Sequence, residues 1–149
     1  MNNYAIDQNV VLDAWRGRKA DKSPAIYEGK FVYGFLSSSH KLLLNSTILN
    51  KFTAFSKTPM QNDEFPDPII VPMFMKLIFN YERTEYATET PVSQELIKKC
   101  DKHFVAVTMD KEGILVTHDE PLKDAIQKYD ELKSCNCKTS EEALPTLNS

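Results

Sequence analysis

Three short apolar runs constrain this chain more than any other feature: "NYAI" at 3–6, "KLLLN" at 41–45 and "GILVT" at 113–117. Each is too short for a buried helix and of the right length for a strand covered on both faces. The stretches between them carry helical spacing. Val10, Val11, Ala14 and Trp15 recur on one helical face, with Asn9 placed as the expected N-cap. A second amphipathic helix is expected within 25–38, and Ser46 is placed to cap a third, "TILNKFTAF". "IIVPMFMKLIFNYER" reads as a core helix with Pro72 in its first turn. "TEYATETP" reads as a polar connection, followed by a helical region from Ser93 with a break near Asp101 and Gly113 as its stop signal. A last helix, "EPLKDAIQKYDELK", has Pro121 in its first turn. Strands alternating with helices predict a three-layer α/β/α domain around a central parallel sheet.

The domain is expected to span 1–133, with 134–149 as a frayed tail. At 149 residues, 42% of them hydrophobic, the chain has enough apolar material for one core. Its formal net charge of −3 gives no global basic footprint, so nucleic-acid binding would rest on a local patch. No apolar run reaches the roughly 20 residues a membrane span needs. The N-terminal "MNNYAIDQNV" does not read as a secretory signal, and three cysteines do not suggest a disulfide framework, so the expected compartment is the cytoplasm.

Two of the runs end in acid. Asp7 follows the first, and Thr117, His118, Asp119 and Glu120 close the third before Pro121. In open parallel sheets, ligand sites lie beyond the carboxyl ends of the strands, where these acids would meet. Carboxylates brought close repel one another unless a cation or a raised pKa relieves them. Oxygen ligands suit Mg²⁺ or Mn²⁺, which activate water and stabilise charge on a phosphodiester under attack. Asp101 in "DKHF" is the best third carboxylate, since a helix start there would favour its charge. The plainer alternative is that each aspartate after a strand only caps a helix or forms a turn.

In combination these segments resemble the PIN domain, a metal-dependent ribonuclease fold of toxin–antitoxin systems and RNA processing. "AIDQNVVLDA" resembles that family's opening strand and turn, "DKHFVAV" its later Asp-x-x-Phe helix, and "ILVTHDEPLKDA" its closing strand, Thr-x-Asp and helix. The resemblance runs from Asn3 to about Tyr129. It implies Asp7, Asp101 and Asp119 as catalytic, metal-binding acids, Asn9 as the residue orienting the first loop, and Thr117 as support for the last carboxylate. It further implies an endoribonuclease acting on single-stranded RNA through Mg²⁺ or Mn²⁺, with an antitoxin protein or a second copy of the chain as partner.

One position departs from the pattern: Lys51 stands where the family usually carries a glutamate. Three accounts are open. Another acid (Glu28, Asp63 or Glu64) supplies the fourth oxygen; or Lys51 contacts a phosphate or neutralises an acid in place of metal; or the match is displaced by a turn. The rival function is therefore a degenerate PIN-like module that binds RNA or protein. A receiver-like fold fits less well, because Gln8 and Asn9 replace the second acid expected after its first strand.

The remaining features carry less. Arg16, Arg18, Lys19 and Lys22 form a basic cluster that would track RNA phosphates or simply face solvent. His118 would point away from Thr117 and Asp119 and reads as a surface histidine. Cys135 and Cys137 lack the second pair that a zinc site requires. The helix around Met73–Phe79 is apolar nearly all round, as in a core or a subunit interface.

Overall fold

The computed structural model describes residues 1–54, 67–93 and 95–148, without the side chain of Cys100. Asp63 and Glu64, and most of the Pro-rich loop that contains them, lie outside the described residues. The element order is β1 (Asn3–Ile6), α1 (Gln8–Arg16), α2 (Ile26–Leu36), β2 (Lys41–Leu44), α3 (Ser46–Thr53), α4 (Ile70–Ile78), β3 (Thr84–Tyr86), α5 (Lys99–Asp110), β4 (Ile114–Val116), α6 (Glu120–Lys128), β5 (Asn136–Lys138) and α7 (Ser140–Ala143). The strands form one sheet in the order β3-β2-β1-β4-β5, with every pairing parallel. It is a three-layer α/β/α fold. α1, α2, α4 and α7 pack among themselves, and α5 lies across β1, β2 and β4. Right-handed crossovers place helices that step toward β3 and those that step toward β5 on opposite faces.

The three apolar runs are the three inner strands, and each buries its last three residues. Two short strands go beyond the sequence reading. β3 arises inside the "polar connection", and β5 inside the segment expected to fray. Both lie at sheet edges, where one side faces solvent, so neither needs the apolar run that marks an inner strand. The C-terminal segment continues into α7, whose N-cap Thr139 and Glu142 form a reciprocal capping box, and α7 packs on α2. It is thus part of the domain.

The caps also differ from expectation. Asp7 caps α1 in place of Asn9, and Asn45 caps α3 in place of Ser46. In each case the residue one or two positions upstream has the extended backbone that lets its carboxyl or amide oxygen reach a helix N–H. At the end of α5 the left-handed residue is Glu112, at φ 50°, and not Gly113. Gly113 is required for a different reason. A Cβ there would lie 2.7 Å from the Asn3 carbonyl and 2.8 Å from Leu43 Cδ1, so only a bare backbone lets β4 enter beside β1. α5 is one helix, and Asp101 lies in its first turn rather than at a break.

The core holds two aromatic clusters. Tyr4 meets Phe31 and Phe35 edge-on, with centroids 5.6 and 5.7 Å away, and Phe52 packs against Phe74 and Phe104. α4 is apolar on both its faces: Phe74, Leu77 and Ile78 are buried, while Met73 and, just before the helix, Ile69 face solvent.

Candidate functional site

The strand order reverses between β1 and β4, since the chain builds leftward from β1 to β3 and then crosses to build β4 and β5. In parallel α/β sheets the crevice at such a reversal, beyond the carboxyl ends of the strands, is where ligands bind. Asp7 and Thr117 occupy that point. The Asp7 N–H donates to the Val116 carbonyl at 3.0 Å, and the Thr117 N–H to the Lys138 carbonyl at 3.0 Å, so the sheet ladder fixes both residues.

Their side chains form one network. The Thr117 hydroxyl donates to Asp7 Oδ2 at 2.9 Å, and Asp7 Oδ1 accepts the Asn9 N–H at 3.1 Å while capping α1. The same Thr117 oxygen accepts the Asp119 N–H at 3.2 Å, and Asp119 Oδ1 accepts the Leu122 N–H at 3.1 Å to cap α6. Asp7 is only 7% exposed, so its charge relies on these donors and on the α1 N-terminus. Thr117 therefore supports the first aspartate through its hydroxyl and the second through backbone. Both aspartates are helix caps, and the Thr117 hydroxyl touches the side chain of one and the backbone of the other.

Asp101 stands across a small cleft of about 110 Å³ from Asp119, with Leu96, Lys98 and Pro121 also in its wall. Being in the first turn of α5, it adds its charge where the helix dipole favours it. Among the described residues no three His, Cys, Asp or Glu side chains gather closely enough to hold a metal together. Lys51 sits half-buried in the last turn of α3, the helix that touches α5. Arg16 ends α1, and Arg18 bridges by backbone to Pro24 in the following loop. Lys19 is turned to Glu28, 3.5 Å away.

Alternation along the chain sends His118 to the other face from Asp119. Its buried Nε2 lies 2.8 Å from Asp13 Oδ2 on α1, so it is a half-buried ion-pair partner and not a surface histidine. That contact with Asp13 lifts the imidazole pKa above its ordinary value, against the opposing effect of burial. Glu28, 3% exposed, faces the same side. Sequence reasoning passed over Asp13 because its position in the α1 apolar pattern reads as solvent-facing.

A second cluster, Asn45, Glu89 and His103, also escaped it. Asn45 Nδ2 donates to Glu89 Oε2 at 3.1 Å, and His103 Nδ1 lies 2.8 Å from Glu89 Oε1. The three come from the ends of β2 and β3 and from α5, and no local spacing connects them. At β5, burial pushes the Cys135 thiol up to about 12 and the Cys137 thiol to about 11, which keeps both protonated near neutral pH.

Compared with models of protein families, with curated proteins and with solved structures, the chain matches none.

Proposed function

We propose that this domain is a PIN-like, metal-dependent endoribonuclease acting on single-stranded RNA, with the site at the β1–β4 crevice. The observation that carries this reading is the Asp7–Thr117–Asp119 network at the point where the strand order reverses, with Asp101 across a cleft from Asp119. The donor set fits a hard cation in part. Asp119 Oδ2 has no partner among the described residues, and carboxylate oxygens accept more than one contact. Mg²⁺ is commonly held by one or two carboxylates with water and phosphate completing its shell, so Asp7 and Asp119 would be the residues to hold it, with Asp101 lining the neighbouring cleft. When bound, such an ion polarises the phosphoryl oxygen and lowers the pKa of water.

The chain's own residues do the positioning. Thr117 fixes the spacing of the two aspartates, and Asn9 holds Asp7 Oδ1 through its N–H. Arg16 and Arg18 border the first loop, where they would meet RNA phosphates, while Lys19 is drawn toward Glu28. In a toxin role the partner would be an antitoxin protein in the cytoplasm. No helix among the described residues is long and apolar enough to cross a membrane. The solvent-facing Ile69, Met73 and Phe79 offer apolar surface for a second copy.

A second reading has its own support. Lys51 occupies the place of the family's glutamate, and no three-ligand group is present among the described residues, as in a degenerate module that binds RNA or protein without cutting it. Calorimetry with Mn²⁺ on the wild type, Asp7→Asn and Asp119→Asn separates the two, alongside an RNA-cleavage assay that includes Lys51→Glu. Saturable binding abolished by both substitutions, with cleavage by the wild type, supports the nuclease. Absence of binding at millimolar Mn²⁺ removes the catalytic reading and leaves the module.

A further inference from the structure

A buried charge on α1 lies outside the aspartate network. The buried residues of α1 are Val10, Val11, Asp13 and Ala14, so Asp13 interrupts a face that is otherwise apolar. It is 7% exposed, and among the described residues its carboxylate meets one side chain, His118, at 2.8 Å. Glu28, also buried and facing the same side, is met by Lys19 at 3.5 Å, which leaves Asp13 as the partner of His118. Such a pair adds little to stability, because well-packed apolar side chains of similar volume often replace a buried ion pair without loss. Its place in the chain says more.

His118 stands between Thr117 and Asp119. Thr117 bonds Asp7, the N-cap of α1, and Asp119 caps α6. The turn from β4 into α6 is therefore fastened to α1 twice, by Thr117 at Asp7 and by His118 at Asp13. The two anchors lie six residues apart on α1, roughly 9 Å along the helix axis. A turn held only through Thr117 can pivot about that one bond. A second anchor, reached from the opposite face of the chain, removes the pivot and fixes where Asp119 stands relative to Asp7.

We propose that Asp13 and His118 are positioning residues, which clamp the β4–α6 turn against α1 and so set the separation of the Asp7 and Asp119 carboxylates. The inference rests on the reading of this crevice as a metal site. Neither residue touches the ion; both act through the backbone that carries Asp119. Mg²⁺ demands near-ideal geometry at roughly 2.0–2.1 Å from its ligands, so a turn free to pivot weakens binding without unfolding the domain.

The test combines amide hydrogen exchange, thermal unfolding and Mn²⁺ calorimetry on the full chain. The variants are the double substitution Asp13→Leu with His118→Leu, the single Asp13→Asn, and His118→Gln. The leucine pair should keep or raise the melting temperature, as apolar replacement of a buried ion pair often does. Its Asp119 and Leu122 amides, which donate to Thr117 and Asp119, should nonetheless exchange about tenfold faster or more, with Mn²⁺ affinity falling by a similar factor. An ion pair that served stability alone would leave exchange and affinity unmoved in this variant. His118→Gln, whose side-chain amide can still donate to Asp13, should recover most of both. Asp13→Asn tests the same contact should the leucine pair fail to fold, and should loosen the turn less. Wild-type exchange at Asp119 and Leu122 in the leucine pair and in Asp13→Asn overturns the clamp, with or without metal. So does wild-type Mn²⁺ affinity in those variants. A wild type that binds no Mn²⁺ overturns instead the metal reading of the crevice, and exchange still decides the clamp.

Discussion

The two ends of the sheet are built on opposite terms. At the amino-terminal end, Arg83 spends its guanidinium on carbonyls: Nη2 donates to Phe35 at 2.7 Å, Nη1 to Leu36 at 3.2 Å and Nε to His40 at 2.8 Å. It thereby closes the C-terminus of α2, where cations are favoured, and stacks on the Phe35 ring. Burial lowers its pKa without threatening its charge. His40 is likewise used on both sides, by the Asn2 N–H and the Leu147 carbonyl. At the carboxyl-terminal end, by contrast, Asp7, Asp119 and Asp101 are of one sign and Asp119 keeps an oxygen without a described partner. One end is saturated by backbone and serves the fold. The other is held in order by caps and one hydroxyl, and is the end proposed above to take an ion.

Substitutions can break this contrast, beginning where the stability effect is largest. Arg83→Leu should cost about 3 kcal/mol, because it opens three hydrogen bonds at a half-buried helix end, and chemical denaturation would read this as a shifted midpoint with an unchanged slope. Metal and ligand binding at the far end should survive in the folded fraction. A midpoint unchanged from wild type would mean that the amino-terminal end is no more invested in stability than the other.

Thr117→Val keeps shape and removes the hydroxyl that joins the two aspartates. The expected cost is about 1–2 kcal/mol, since Asp7 Oδ2 loses its donor, and Mn²⁺ affinity should fall together with it. Full retention of both would show that the two carboxylates do not act as a unit.

The smallest effect on stability sharpens the contrast most. Asp119→Asn should leave the melting temperature nearly unaltered, because asparagine caps α6 as well as aspartate does, whereas Asp119→Ala should lose about 1 kcal/mol. Both should lose Mn²⁺ binding. If Asp119→Asn binds metal as the wild type does, Asp119 is a cap and nothing more.

The contrast also governs what could be read in advance. The inner strands were legible because burial on both faces forces an unbroken apolar run, as in Leu42, Leu43 and Leu44. Thr84–Tyr86 and Asn136–Lys138 were not, because an edge strand is set by its neighbour's hydrogen bonds more than by its own residues. Asp7 and Asp119 stood out because strand ends carry positional meaning in a parallel sheet. Arg83, Asp13 and Glu89 did not, because their partners lie on distant segments: Arg83 is 48 residues from Phe35. Whether Asn9 or Asp7 caps α1 turns on one residue's backbone angle, which local composition leaves open.

The order in which the sheet is laid down has a consequence for synthesis on the ribosome. Its central strand, β1, emerges first, yet the β4 side of that strand stays uncovered until the chain has grown past Val116. The Thr117–Asp7 bond spans 110 residues, and the Tyr4 hydroxyl waits a further stretch for Thr146, 142 residues away. Such distant contacts slow folding and leave apolar edges open meanwhile. A nascent chain halted short of β5 should therefore be a client for chaperones, and should become resistant to protease only when β5 and α7 have left the exit tunnel.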